Sequence, residues 1–421
     1  MLVYSRNIYF CKDSTIELNA NLFADYLSNA TYFHNIYFCK DIKIVENSYL
    51  RKEKTNIRIK MSKVRVLLGM SGGVDSTAAC RVLLSRDYDV VGLTLLTCGL
   101  SQSAAEEAAA LAARFGIEHH VVDVRERFKE TVIDPFIQSY LRGYTPNPCV
   151  DCNPTMKFKV LEEWADRLGC EKIATGHYAR IERRGDYYFV RAGADGKKDQ
   201  SYFLWRLTQQ QLSRTLFPLG EWTKEDARRH LHETGLEEKA QDGESMEICF
   251  FTGDYRDFLR REVPDVDNVI RPGYFVDAAG RKLGEHKGFP FYTIGQRKGL
   301  GIALGQPAYV LRINPQKNTV MLGDASQLLT RYMMIDAPEW VQGVPEGDVS
   351  VRIRYRSRQV ACRVVRELPE GRLLVRFAEP VSAITPGQSA VFYNGDVVVG
   401  GAYISLQRGI NQWINEDDDE Q

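Results

Sequence analysis

Two cysteines, Cys149 and Cys152, stand three apart in the stretch TPNPCVDCN at residues 145–153. A C-x-x-C pair between turn-forming residues can serve a metal, a disulfide or sulfur transfer, and its neighbours do not choose among them. Half of a tetrahedral zinc site would need a second such pair or an H-x₃₋₅-H, and neither follows at zinc-finger spacing. A third cysteine, Cys249 in EICFF, lies 97 positions after Cys152, so only the fold can bring the two together. Between Ile and Phe, a lone cysteine reads by itself as a small buried hydrophobe. The nine cysteines are odd in number and irregular in spacing, with no apolar leader before them. That pattern reads as a reducing, cytoplasmic protein with mostly free thiols.

A second stretch, GMSGGVDST from Gly69, could do different chemistry. The apolar run Val64–Leu68 predicts a buried strand before it, and Thr77–Leu84 predicts a packed helix after it. Strand, Gly/Ser turn and helix aim backbone N–H groups and a helix N-terminus at an anion. Gly72 and Gly73 can take positive φ and let the backbone approach a phosphate closely. Ser71 and Ser76 add hydroxyl donors, and Asp75 is placed to hold a metal ion or orient the loop. No GK[ST] follows and G-x-G-x-x-G is absent, so this is neither a Walker A nor a dinucleotide loop. The plain alternative is a capped strand–helix turn.

The surrounding pattern says what positions these residues. The chain has 421 residues, 44% of them apolar and 26% charged, enough for two or three domains. No run approaches the length of a membrane span. Lys+Arg and Asp+Glu balance at 55 each, which leaves room for a local basic stripe. Strand and helix alternate: strands at 89–96, 120–124 and from 172, helices at 104–115, to about Leu141, and at 160–168. The expectation is an α/β fold with a doubly wound parallel sheet. Ligands in such sheets sit beyond the strand C-termini, where the phosphate loop, Leu95 and Thr175-Gly176-His177 fall. Residues 1–60 look foreign, with NIYFCKD at Asn7–Asp13 and again at Asn35–Asp41, and Met61 opens what reads as an ordinary protein start.

SGGVDS resembles the loop of the PP-loop ATP pyrophosphatases, the adenine nucleotide alpha hydrolase-like superfamily. That resemblance implies cleavage of ATP to AMP and pyrophosphate, with adenylation of a substrate oxygen. TPNPCVDCNPTMKF, ATGHYAR, KDQSYFLW, EICFF and YTIGQRKGLGI occur in order after it. With the loop they resemble the tRNA-specific 2-thiouridylases, called MnmA in bacteria and TrmU in mitochondria, from about Val64 to about Ile404. The resemblance implies ATP-dependent thiolation of the wobble uridine, with ATP and Mg2+, tRNA as partner, and a cysteine desulfurase, a relay protein or sulfide as sulfur donor. A uracil oxygen is a poor leaving group until it is adenylated. A cysteine persulfide is a suitable sulfur nucleophile, and a second thiol can release its sulfur by closing a disulfide.

Carried over by motif, Cys249 matches the persulfide-bearing residue and Cys152 its partner. Gly69, Met70, Ser71, Gly72, Gly73, Val74, Asp75, Ser76, Leu95 and Gly176 match nucleotide contacts. Asn147, Pro148, Cys149, His177, Lys198, Asp199, Gln200, Arg354, Tyr355 and Gln388 match tRNA contacts. The family has Asp where Cys149 stands. Cys149 is then either a spare or resolving thiol, or joins Cys152 and Cys249 around an iron–sulfur cluster with one open iron. Asp242, Glu244 and Glu247 make the approach to Cys249 acidic.

From about Glu221 polar helices take over, rich in Arg228, Arg229, Arg256, Arg260 and Arg261. From Tyr309 short alternating strands read as a β-barrel. In VRIRYRSR, Arg352, Arg354, Arg356 and Arg358 would share one strand face opposite Tyr355. The expected organisation is an extension at 1–60, an ATP-binding catalytic domain at 61–218, a linking domain carrying Cys249 at 219–290, a tRNA-binding barrel at 291–410 and an acidic tail at 411–421. Two other readings compete. Another PP-loop adenylating enzyme would not need the distant cysteines, and a non-catalytic tRNA-binding paralogue would not need the phosphate loop.

Overall fold

The computed structural model describes residues 63–243, 248–303, 305–407, 409–412 and 414, together with the backbone of short strand segments before residue 62. The chain forms two compact units, Met1–Val64 and Arg65–Gln421. In the first, Asn7–Tyr9 pairs antiparallel with Leu2–Tyr4 and parallel with Asn35–Ile36, so the two NIYFCKD copies align Asn7 with Asn35. The rest of both copies, Glu244 and Glu247 before Cys249, and the tail from residue 415 lie outside the described residues.

The second unit opens with β1 (Arg65–Gly69), whose Val66, Leu67 and Leu68 are fully buried. Burial on both faces explains the unbroken apolar run and marks a parallel strand covered by helices. Helix α1 (Val74–Ser85), β2 (Asp89–Leu96), α2 (Gln102–Phe115) and β3 (Glu118–Asp123) follow. Gly116 ends α2 in the left-handed region at φ +66°, as its place after Phe115 predicts. Strands β4 (Lys172–Ala174) and β7 (Thr215–Leu216) complete a five-stranded parallel sheet of order β3-β2-β1-β4-β7. The order reverses direction at β1, and the phosphate loop leaves β1 at that switch point.

Between β4 and β7 the chain makes the hairpin β5 (Ala179–Arg184) and β6 (Tyr187–Ala192), which joins a different sheet. That sheet closes on itself. Strands β12 (Leu329–Trp340), β13 (Val349–Arg352), β14 (Val360–Leu368), β15 (Arg372–Ser382), β16 (Ser389–Asn394) and β17 (Val397–Ile404) pair in the ring β17-β12-β15-β14-β13-β16, and β16 pairs back to β17. The barrel has its own core, including Met333, Val351, Phe377 and Phe392.

A four-stranded sheet comprises β8 (Gly273–Val276), β9 (Lys282–His286), β10 (Tyr309–Asn314) and β11 (Thr319–Gly323). It draws strands from both sides of residue 290, so a domain boundary there would cut hydrogen-bonded strands.

Ser201–Phe203 is a 3-10 turn, and the strand expected through VRIRYRSR is cut short. VRIRYRSR leaves the strand at Arg352 because Ser357 folds back on Arg354, its N–H donating to the Arg354 carbonyl at 3.0 Å and its hydroxyl accepting from the Arg354 N–H at 3.2 Å. The four arginines therefore do not share a strand face.

Candidate functional site: a phosphate loop beside a thiol cluster

The phosphate loop is built from backbone. Gly72 has φ +73°, and a Cβ there would lie 2.8 Å from the Ala104 carbonyl of α2, so only glycine fits. Gly73 does not use that freedom: its φ is −76°, in extended backbone, where it is the N-cap of α1 without a side-chain cap. The first-turn N–H groups thus have no capping side chain and are available to an anion. Ser76 shapes the turn, its hydroxyl donating to Gly73 O at 3.1 Å and accepting from the Ser71 N–H at 3.2 Å. Met70 is buried and bonds β2 through Leu93 O. Gly176 packs so closely that a Cβ would meet the Asp75 carbonyl carbon at 2.8 Å. Leu95 is half-buried at the C-terminal end of β2.

Asp75 is held rather than free. Its Oδ1 accepts from Tyr178 Oη at 2.7 Å and from Lys224 Nζ at 2.6 Å. Lys224 is only 14% exposed and opens helix α6 (Lys224–Glu233), whose N-cap is Thr223. Burial and the Asp75 carboxylate push the Tyr178 phenol well up. The sequence reading missed Lys224. Its signal was the T-x-x-D capping box of Thr223 and Asp226, which places Lys224 at a helix start but does not reveal its partner.

The thiols come from three segments. Asn147 caps α4 (Pro148–Cys152), its Oδ1 accepting from the Cys149 N–H at 3.3 Å, and buried Pro148 takes the first helical position. Cys149 and Cys152, one turn apart, share a helix face. After Cys152 the helix widens into a π turn, Asn153–Lys157, before continuing as α5 (Phe158–Leu168). Pro154 cannot donate an α-helical bond, which accounts for the break. Asp151 anchors this helix to Arg206 and Tyr403, and Gln388 Nε2 donates to Thr145 O at 2.8 Å. The barrel thereby holds the cysteine loop.

Cys249 is exposed, contrary to the buried-hydrophobe alternative, while the next two residues are buried anchors. Phe250 packs edge-on against Phe136 and Phe258 at 5.3 Å each, and Phe251 stacks on Phe258 at 4.8 Å. Two aromatic anchors thus fix the position of Cys249, an exposed residue whose sulfur is nonetheless partly desolvated.

The Cys149 thiolate would raise both Cys152 and Cys249, and the Cys249 thiolate would raise Cys152. All are free thiols, and Cys149 and Cys152 are half-buried. Burial pushes Cys152 up to about 12 and Cys249 to about 11, and it raises Cys149 as well. The Lys157 ammonium opposes this at all three. Lys157 stands at the end of the π turn. The sequence reading missed it, since register across a π turn is not legible from spacing. It also missed Cys98, on the loop after β2, whose Sγ lies 3.6 Å from the Cys249 carbonyl. Among the described residues no three Cys, His, Asp or Glu side chains are gathered as a metal-ligand set. The thiols are neighbours, and nothing in their described surroundings supports an iron–sulfur cluster over a persulfide.

Several expected tRNA contacts are interior. His177 is buried, 2.7 Å from the Thr175 hydroxyl and stacked on Phe158 at 6.1 Å, and burial holds it well below its ordinary pKa. Asp199 is buried and accepts from the Gly193 and Ser201 N–H groups at 3.0 Å each and from Arg352 at 2.6 Å. Both side chains have internal partners. Arg354 donates to the Ile294 carbonyl at 3.0 Å and to Thr385, a turn-holding role. Tyr355 packs on Phe203 at 4.3 Å. Gln200 accepts from the Tyr178 N–H at 3.0 Å. Lys198 is half-buried on the turn before Asp199.

Family models match three consecutive parts of the chain. A tRNA methyl transferase HUP domain matches residues 64–253, a tRNA methyl transferase PRC-barrel domain 256–324 and an aminomethyltransferase beta-barrel domain 330–404. The first match includes Cys249, which the sequence pattern assigns to a linking domain. The tRNA-specific 2-thiouridylase MnmA 3 of Bacteroides fragilis (strain YCH46) is 57% identical over 366 residues, 86% of this chain and 99% of that one. This chain belongs to the tRNA-specific 2-thiouridylase family. MnmA of Syntrophotalea carbinolica, also of the 2-thiouridylase family, is 43% identical over 357 residues, 82% of this chain and 100% of that one. A solved 4-thiouridine synthetase–RNA complex with bound ATP aligns at a TM-score of 0.30 and 18% identity, over 59% of this chain and 65% of that chain; so distant a likeness carries no weight.

Proposed function

We propose that this chain thiolates the 2-position of the tRNA wobble uridine in an ATP-dependent reaction in the cytoplasm. The observation that carries the reading is the convergence of an exposed Cys249 with the C-x-x-C helix on the sheet that bears the phosphate loop, within a chain of the 2-thiouridylase family.

ATP binds with its phosphates on the first turn of α1 and the backbone of 71–73. The uracil 2-oxygen attacks the α-phosphorus, pyrophosphate leaves, and the ring carbon then carries AMP as leaving group. Mg2+ arriving with the nucleotide would meet the Asp75 Oδ2, which takes no hydrogen bond among the described residues. It would neutralise phosphate charge. Lys224 places a second cation at the same carboxylate. Cys249 bears the sulfane sulfur as a persulfide. Cys152 attacks the Cys249 Sγ, expels hydrosulfide onto the activated carbon, and AMP departs. The product is 2-thiouridine, and the two cysteines are left as a disulfide for a thiol reductant. A cysteine desulfurase or a relay protein supplies the sulfur at the sulfane level, as the Cys249 persulfide requires.

The small sheet and barrel hold the tRNA, and the barrel also steadies the cysteine helix through Gln388, Arg206 and Tyr403. Among the described residues no helix is long and apolar enough to cross a membrane.

The test is anaerobic incubation of polysulfide-loaded protein, freed of excess, with unmodified tRNA and ATP-Mg, followed by digestion and nucleoside mass spectrometry. The reading expects 2-thiouridine, with AMP formed in step. No thiolated nucleoside from folded, ATP-binding protein would overturn it.

A further inference from the structure

The mechanism above uses two thiols, but the site contains four. Cys98 is half-buried on the loop between β2 and α2, and its Sγ lies 3.6 Å from the Cys249 carbonyl oxygen. A 3-10 turn, Gly99–Ser101, fixes the loop, with the Ser101 hydroxyl bonding the backbone of Thr97 and Cys98. Cys98 therefore sits against the residue that carries the sulfur, on a loop whose shape is set locally. The same loop leads into α2, whose Ala104 carbonyl lies against Gly72 of the phosphate loop. A sulfur released beside Cys98 is released on the side where the nucleotide binds. Cys152 approaches Cys249 from a different element, α4.

We propose that Cys98 is a second partner thiol for Cys249, able to release its sulfane sulfur in place of Cys152. This rests on Cys249 being the persulfide carrier. The Cys98 thiol gives its proton to solvent, and its thiolate bonds to the Cys249 Sγ. The Cys249 sulfur–sulfur bond breaks, and its electron pair leaves with the terminal sulfur as hydrosulfide. The sulfane sulfur is reduced, Cys98 is oxidised, and a Cys98–Cys249 disulfide remains. A dithiol reductant returns both thiols, as it must for the Cys152–Cys249 disulfide. One turnover thus has two exits that share Cys249.

The full chain is loaded with inorganic polysulfide, freed of excess, and given ATP-Mg and unmodified tRNA without reductant. Free thiols are blocked, and disulfide-linked peptides are mapped by mass spectrometry. In Cys152→Ala the expected product is a Cys98–Cys249 linkage accompanying single-turnover 2-thiouridine. Cys98→Ser/Cys152→Ala is expected to lose both, with single-turnover thiolation at least ~10-fold below Cys152→Ala. ATP binding by calorimetry and the melting temperature of each variant establish that it is folded. The proposal is overturned if Cys152→Ala forms no Cys98 linkage, or if the double variant thiolates as fast as Cys152→Ala. If wild-type Cys249 takes up no sulfane sulfur on loading, the persulfide reading itself fails and this proposal goes with it.

Discussion

The phosphate loop and the thiol cluster share one edge of one sheet and are built in opposite ways. The loop is a single run of backbone, with side chains that mostly tie it to itself. The cluster is made of side chains from three segments, each anchored elsewhere: Asn147 and Asp151 on the cysteine helix, Phe250 and Phe251 beside Cys249, Ser101 beside Cys98. Contiguous backbone makes a rigid cradle that needs no neighbours to be recognised. Converging side chains bring reactive groups together without fixing them to one another, which suits sulfur that must move.

That contrast predicts damage confined to one half at a time. The largest effect falls on the thiols: Cys249→Ser lowers thiolation at least ~1,000-fold while ATP affinity holds, since it removes the nucleophile carrier and nothing from the cradle. Single-turnover assays with calorimetry check it, and parallel loss of ATP binding would break the separation. The second concerns pH. Burial raises the Cys249 thiol to about 11, so its thiolate fraction climbs roughly tenfold per pH unit up to that value. Iodoacetamide alkylation of Cys249 should therefore still be rising at pH 10. A plateau near the ordinary thiol value would show that Lys157 outweighs burial.

The third leaves both halves intact. Asp199→Asn breaks a buried ion pair to Arg352 and costs about 3–5 kcal/mol. Denaturant titration should register that loss, with tRNA affinity unchanged for the folded fraction. Weaker tRNA binding at unchanged stability would return Asp199 to the RNA surface. Fourth, Gly176→Ala drives a Cβ into the Asp75 backbone and should weaken ATP binding about tenfold, with Cys249 alkylation unaffected. The smallest effect is Cys149→Ala, which should keep thiolation within about threefold if Cys149 is a spare thiol. Loss of activity there, with iron and sulfide in the anaerobically purified protein, would favour the cluster.

The same contrast explains what the sequence made legible. SGGVDS, the parallel strands and the helix stop at Gly116 are local, and period and turn chemistry reveal them. The convergence of Cys149, Cys152 and Cys249 depends on the fold and entered only through resemblance. Cys98, Lys157 and Lys224 carried no local signal, because each matters through a partner distant in sequence or across a π turn. For the tRNA-contact candidates the sequence shows residue type but not direction. Asp199, His177 and Arg354 look like exposed polar groups in a string of letters, yet each satisfies an internal donor or acceptor. A polar residue's direction is not contained in its type.

The account's central claim is that the sulfur reaching tRNA comes from Cys249. The most direct test loads the chain with 34S-labelled polysulfide, removes the excess and adds ATP-Mg and unmodified tRNA for one turnover. The account predicts one 34S-labelled 2-thiouridine per loaded Cys249, lost persulfide mass on the Cys249 peptide, and neither in Cys249→Ser. Labelled 2-thiouridine from Cys249→Ser at the wild-type rate would contradict it.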